Sequence, residues 1–364
     1  MSKDQAGRLA PGATIGILGG GQLGRMTALA AANLGYRCHV YDPAPDGPAS
    51  QVAAAVTVAA WSDEAALAAF ADAVDVVTYE FENVPIAAVE FLEDRVPVRP
   101  NSDALRIAQH RLEEKKYARH CGMETAPFWG VHDLDELVDA VSAIGMPAIL
   151  KTTTLGYDGK GQIRLDMDSS MSEAWDDLAT EQAVLERMIP FAMEISVIVA
   201  RGLDGVMASF PIARNEHRDG ILHISTAPAE LSDEIATAAI AGAERMAAGI
   251  DLVGLLAVEM FVTKDGEVLV NEMAPRPHNS GHWTMDGCAT SQFEQLVRAI
   301  CGLPLGPTTA LFEVAMTNLI GEEAHAWPEL IAEPDSKLHL YGKAEAREGR
   351  KMGHVNRRLK PVAS

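Results

Sequence analysis

The segment AVEMFVTKDGEVLVNEMAPR, residues 257–276, limits the possible folds most, because two strand-like runs flank an Asp265-Gly266 pair suited to a two-residue hairpin turn. If Lys264 pairs with Glu267, alternation sets Glu259 opposite Glu272, on the face of Phe261, Thr263, Val268 and Val270. Like charges facing each other across a sheet repel, and apolar neighbours worsen it, so the pair calls for a shared proton or a divalent cation. A ligand set made only of oxygens suits magnesium, or manganese. Strict alternation sends Asn271 to the other face, so it joins Glu272 only if the strand bulges before Met273. A register slipped by one residue, or Glu272 exposed at a strand end, is the alternative.

Upstream, ATIGILGG is a short apolar run ending in glycines, followed by the helical pattern QLGRMTALAAANLG and the strand-like YRCHVYD. AAVTVAA, an alanine-rich helix over 63–73 and DVVTYE continue the alternation to about Pro100. Residues 1–100 therefore read as an α/β domain with an open parallel sheet. A helix capped by Ser102 and running to about His120 opens a second unit, 101–303. Beyond it come strand, helix and strand ending in MPAILK, then short strands with glycine turns and one helix over 232–248, the pattern of an α+β region with an antiparallel sheet. Residues 304–364 add the strand candidates VAMTNLIG and KLHLYGK and a basic tail. There is no internal repeat.

A chain of 364 residues with 48% hydrophobic residues buries cores in two or three domains and is not disordered. Its formal charge of -21 argues against nucleic-acid or anionic-membrane partners unless basic groups cluster locally. They cluster in one place, where Lys343, Arg347, Arg350, Lys351, Arg357, Arg358 and Lys360 reverse the sign; this is an anion pocket or a solvated tail. Cys38, Cys121, Cys288 and Cys301 have no metal or redox spacing. Neither a signal-peptide core nor a run of about 20 apolar residues occurs, so a cytoplasmic protein is expected.

Three further motifs carry chemistry. Gly19, Gly21 and Gly24 form G-x-G-x-x-G between a strand and a helix, with Asp42 following. Alone it supports a nicotinamide or flavin enzyme, a tight packing turn, or a grip on a phosphate. KTTTLGYDGKGQ places Lys151 at a strand end before Gly156, Gly159 and Gly161, whose backbone N–H groups can approach phosphates; it is not a Walker A loop. APRPHNSGHWT fixes Arg276, His278, Asn279, Ser280 and His282 beside the acidic strand. No G-x-S-x-G or H-E-x-x-H nucleophile or zinc motif competes.

Together GGGQLGRM, YEFENVP, KTTTLGYDGKGQ, LERMI, AVEMF, VNEMAPRPHNSGHWT and EGRKMGH resemble the ATP-grasp superfamily, and within it the N5-carboxyaminoimidazole ribonucleotide synthetases of purine biosynthesis. The resemblance runs from about Ala13 to about Asn356. It implies an ATP-grasp fold: a Rossmann-like N-terminal domain, a two-lobed ATP-grasp region and a small C-terminal domain. For ATP it implies Arg111, Lys151, the loop Gly156, Tyr157, Asp158, Gly159, Lys160, Gly161 and Gln162, the hinge Glu186, Arg187, Met188 and Ile189, and Glu194, His217, Asn271 and Glu272. Glu259 and Glu272 match magnesium ligands, with manganese as a substitute. Gln22, Leu23, Glu80 (chosen over Glu82), Arg276, Asn279, Lys343, Arg350 and Lys351 match substrate positions, and Arg276, His278 and Lys351 are the catalytic candidates. The implied reaction carboxylates 5-aminoimidazole ribonucleotide with bicarbonate and ATP through carboxyphosphate, in a homodimer. A formate-using transformylase of the same superfamily is the nearest alternative, and an NAD(P) oxidoreductase a remote one.

Overall fold

The structure, a computed structural model, describes residues 7–156 and 161–362. β1 (Thr14–Leu18) passes through the glycine turn into α1 (Gln22–Asn33), and β2 (Arg37–Asp42), β3 (Ala55–Val58), α2 (Glu64–Asp72), β4 (Val76–Tyr79) and α3 (Ile86–Glu93) follow. The four strands form one parallel sheet in the order β3-β2-β1-β4. Parallel neighbours need a crossover, which helices supply except between β2 and β3, where residues 43–54 make it without one. Phe70, Val77 and Leu92 pack one face of the sheet, while Ile15, Ile17 and Val40 join a core that continues into the next region through Leu296 and Ile300.

The helix expected from Ser102 to His120 is two helices, α4 (Ser102–Gln109) and α5 (Arg111–His120), separated by extended backbone at His110. Asn101 is the N-cap, accepting from Ala104 N–H, whereas the Ser102 hydroxyl donates to Glu93. The break turns Arg111 toward the following lobe, where its backbone N–H meets Thr153 C=O and its guanidinium donates to the carbonyls of Thr152 and Gly156.

That lobe consists of β6 (Phe128–Val131), α6 (Leu134–Ile144), β7 (Ala148–Thr152), β8 (Gln162–Leu165), α7 (Met171–Leu178) and β9 (Ala183–Arg187), after the two-residue β5 (Glu124–Thr125). Its antiparallel sheet, β6-β9-β7-β8, has its own core of Leu137, Leu150, Leu165 and Leu185.

The remaining elements are β10 (Phe191–Arg201), β11 (Met207–Ser209), β12 (Ala213–Arg218), β13 (Ile221–Ala227), α8 (Asp233–Gly249), β14 (Gly254–Thr263), β15 (Val268–Ala274), α9 (Thr284–Gly287), α10 (Gln292–Ile300), β16 (Phe312–Ile320), α11 (Trp327–Ala332), β17 (Ser336–Leu340) and β18 (Lys351–Pro361). They build one large sheet in the order β17-β18-β16-β13-β12-β10-β14-β15-β5, with β11 on the edge of β10. α8 covers one face through Ala243 and Met246, against Val197, Val258 and Met260. Strands on both sides of residue 303 share this sheet, because β13 pairs with β16. No helix among the described residues is long and apolar enough to cross a membrane.

Candidate active site

The three sheets enclose a cleft of about 910 Å³. Gln22, Leu23 and Glu80 line it from the first domain, Arg111, Lys151, Gly156 and Gln162 from α5 and the small lobe. The large sheet contributes Glu194, His217, Glu259, Asn271 and Glu272; the following loop contributes Arg276, His278 and Asn279, and the C-terminal region Lys343, Arg350 and Lys351. Gly161 and the hinge Glu186, Arg187, Met188 and Ile189 are not in the lining, and Arg187 faces solvent. Tyr157, Asp158, Gly159 and Lys160 lie outside the described residues.

Glu259 does stand opposite Glu272, but the hairpin reaches that pairing by another route. Near the turn Phe261 pairs with Leu269 and Val262 with Val268, and Thr263 N–H donates to Glu267 C=O, so the turn is one residue longer than Asp265-Gly266 alone would make it. A bulge between Glu259 and Met260 then absorbs Asn271 as an extra residue and restores the carboxylate pair. One correction follows, and the condition set for Asn271 is met. Val270 pairs with Met260 and both enter the α8 core, with Val268 at its margin, so Leu269 rather than Val268 or Val270 lies opposite Phe261 on the acidic face. The bulge also brings Asn271 and Glu272 to line the same cleft.

Burial, and then the charge of Glu272, push the Glu259 carboxyl up to about 8. Its Oε1 is buried with no hydrogen-bond partner among the described residues, and His278 Nδ1 lies 3.6 Å from it. An orphaned carboxylate oxygen facing a second carboxylate and an amide fits a hard cation. No group of three or more His, Cys, Asp or Glu among the described residues could hold a metal by itself, so other ligands would be phosphate oxygens and water.

The glycines of this turn do not present free N–H groups; Gly19 N–H donates to Tyr41 C=O. Gly20 N–H donates to Asp42, and the N–H groups of Gly21 and Gly24 donate to the two oxygens of Glu80 at 2.7 and 3.0 Å. Internal carboxylates thus take the glycine N–H groups at the positive end of α1, while Gln22 and Leu23 of its first turn line the cleft. A Cβ on Gly21 would fall 2.3 Å from Glu80 Oε1, so a side chain here would have to displace the Glu80 carboxyl from its N–H partners.

Sequence reading passed over a buried charged row on α5. Lys115, 1% exposed, lies 3.0 Å from Glu186, which Lys151 also approaches at 3.2 Å. Burial favours the neutral acid, but Lys115 and Lys151 outweigh it and lower the Glu186 carboxyl to about 2. Glu114 beside it, 3% exposed, is pushed up to about 8 by burial and then by Glu272. The EEKK run looks like an ordinary solvated helix face, and no signal in it marked these residues.

Across the sheet His217 hydrogen-bonds Glu194. Burial opposes its charge, but Glu194 together with Glu259 and Glu272 raises its pKa. Arg276 donates to Glu82, the acid set aside in favour of Glu80, and that pairing, opposing burial, lowers the Glu82 carboxyl. Burial, reinforced by Arg276 and Lys351, holds His278 well below the usual imidazole range, so it is neutral. Its Nδ1 accepts from Ser280 N–H at 3.3 Å and lies 2.8 Å from Ser280 Oγ, itself bonded to Ser196 Oγ at 2.7 Å. Nε2 therefore carries the ring proton and is a donor, suited to orienting an anion rather than removing a proton. Asn279 and Asn318 exchange amide hydrogen bonds at 2.9 and 2.6 Å.

The basic tail divides. Lys343, Arg347, Arg350 and Lys351 border the cleft. Arg357, Arg358 and Lys360 belong to β18, an 11-residue strand, and engage Glu333, Asp286 C=O and Glu313. The solvated-tail alternative is wrong for this segment, because β18 is paired on both sides.

Comparison with known proteins gives a consistent picture. The ribonucleotide synthetase preATP-grasp domain matches residues 12–109, the ATP-grasp domain residues 116–293, and the phosphoribosylaminoimidazole carboxylase C-terminal domain residues 314–361. An N5-carboxyaminoimidazole ribonucleotide synthase of Brucella melitensis is 50% identical over 355 residues, covering 97% of this chain and 98% of that protein. A bifunctional purine synthesis protein of Dictyostelium discoideum is 47% identical over 369 residues, and the match spans 37% of its length. The crystal structure of an N5-carboxyaminoimidazole ribonucleotide synthetase with ADP superposes with a TM-score of 0.94 at 45% identity, over 97% of this chain and 94% of that one. The enzyme of Aspergillus clavatus, in complex with ADP and 5-aminoimidazole ribonucleotide, gives 0.88 at 31% identity, over 96% and 94%.

Proposed function

The chain belongs to the N5-carboxyaminoimidazole ribonucleotide synthase family of ATP-grasp enzymes, and from that premise we propose how its own residues perform the reaction. It is a carbon–nitrogen ligase that uses ATP to carboxylate 5-aminoimidazole ribonucleotide in purine biosynthesis. In our reading bicarbonate attacks the γ-phosphate of ATP, giving carboxyphosphate and ADP. The amine of the ribonucleotide then takes the carboxyl carbon, and phosphate leaves.

The observation that carries this reading is the Glu259/Glu272 pair with its orphaned oxygen at the meeting point of the three sheets. These two residues, joined by Asn271, would hold magnesium or, in its place, manganese; when bound, the cation supplies charge neutralisation for the phosphates. Lys151 and Arg111, with Gly156 and Gln162 beside them in the cleft lining, approach the triphosphate. Glu194, paired with His217, offers acceptor oxygens to the nucleoside. The ribonucleotide lies toward Gln22, Leu23 and Glu80, its phosphate met by Lys343, Arg350 and Lys351. Arg276, held by Glu82, and His278, donating from Nε2, orient bicarbonate, with the Lys351 charge acting on both Glu82 and His278 and Asn279 fixing the loop.

We further propose a cytoplasmic homodimer and a division into domains at 1–100, 101–303 and 304–364, the last two joined by a common sheet. The decisive assay follows ADP release with magnesium, ATP and bicarbonate, with and without 5-aminoimidazole ribonucleotide, for the wild type and Glu272→Gln. Ribonucleotide-dependent release lost in the variant is expected. Release instead with formate and glycinamide ribonucleotide would transfer the site to formyl chemistry.

A further inference from the structure

β5 pairs with β15 only at Leu269 and Val270, so beyond Val270 the outer edge of β15 has no strand beside it among the described residues. Backbone polar groups buried there need partners from elsewhere. α5 supplies them on both sides of Glu272. The Glu114 carboxylate accepts from Met273 N–H, and Lys115 Nζ donates to Asn271 C=O at 3.3 Å. Both side chains are almost fully buried, and the second contact of Lys115, with Glu186 at 3.0 Å, fixes its direction.

Resting on the assignment of Glu259 and Glu272 as cation ligands, we infer that Glu114 and Lys115 are positioning residues that pin the β15 bulge so that Asn271 and Glu272 face the cation together. A bulge is one extra residue whose place in a strand must be specified. If it moves by one position, the side chain at that position turns to the other face. Adjacent side chains on α5 clamp the backbone immediately before and immediately after Glu272, leaving the extra residue one position to occupy. Glu114 acts here as an acceptor for a backbone N–H, a task that an amide oxygen of the same length performs equally well.

The test is Mn2+ binding in the presence of ADP, read by electron paramagnetic resonance, with metal-free ADP affinity and urea unfolding measured alongside. Glu114→Ala should weaken Mn2+ about tenfold or more, as loss of a ligand's support does, with a smaller loss of metal-free ADP affinity. Glu114→Gln should restore Mn2+ affinity. Equal loss in the Gln and Ala variants would mean that charge rather than the hydrogen bond matters and would overturn the inference, as would unchanged binding by Glu114→Ala. Should that variant not fold, Lys115→Met removes the Asn271 donor and must show the same selective loss; retained Mn2+ affinity there also overturns it. Undiminished Mn2+ binding by Glu272→Gln would instead defeat the cation assignment itself, whatever the Glu114 variants do.

Discussion

Glu186 sits between Lys115 and Lys151, and its titration gives those contacts a measurable consequence. Its folded pKa of about 2, depressed against the effect of burial, lies below the roughly 4.3 of an unfolded carboxyl. The stabilisation is fully present above the unfolded value and is lost as pH falls through the folded one. Glu186→Gln should therefore be less stable than wild type near neutral pH and lose less stability on acidification to about pH 3; equal acid slopes in urea titrations would contradict this. Arg276 and Glu82 form a second such pair, with side chains 13% and 26% exposed. Arg276→Ala leaves the Glu82 charge unpaired and should cost about 3 kcal/mol by urea unfolding, in addition to abolishing turnover. Residue types at the cleft were legible because GYDGKGQ and NEMAPRPHNSGHWT are long and specific. Partners were not: that Arg276 would choose Glu82, or that Glu80 would cap α1, depends on contacts across 194 and 59 or fewer residues of chain.

At the scale of elements, local signals worked where local forces decide. The helix expected over 232–248 is α8, with Ser232 as its N-cap, accepting from Ile235 N–H. The single helix expected from Ser102 failed at His110, where the Arg111 contacts with Thr152, Thr153 and Gly156 outweigh helix continuity. The acidic hairpin was right in its pairing and wrong in its path, because a longer turn and a bulge offset each other. α1 offers a direct test of how the glycine turn is used. Gly21→Ala drives a methyl into Glu80, displacing the carboxylate that satisfies the Gly21 and Gly24 N–H groups. It should cost about 2 kcal/mol in urea unfolding. The KM for the ribonucleotide should rise more than that for ATP; a rise confined to ATP would mean the turn serves the nucleotide instead.

For the whole molecule, a chain of formal charge -21 must bind anions in a cleft where Lys343, Arg347, Arg350 and Lys351 are gathered. Raising ionic strength from about 0.1 to about 1 M shortens the screening length from about 10 to about 3 Å. The KM for the ribonucleotide should rise several-fold as a result, and a salt-independent KM would show that its phosphate is met elsewhere. The sequence by itself determined the alternation that makes the first sheet parallel, the presence of an acidic hairpin around Asp265-Gly266, and the loops whose composition suits phosphates. Each is set by neighbours in the chain, through side-chain period, turn chemistry and backbone freedom. Only the tertiary structure decided that β18 would join β16 and β17 rather than remain a tail, that α5 would clamp β15, and that carboxylates would fill the glycine turn. Those outcomes follow from buried charges and backbone groups seeking partners in space, a competition that distance along the chain does not encode.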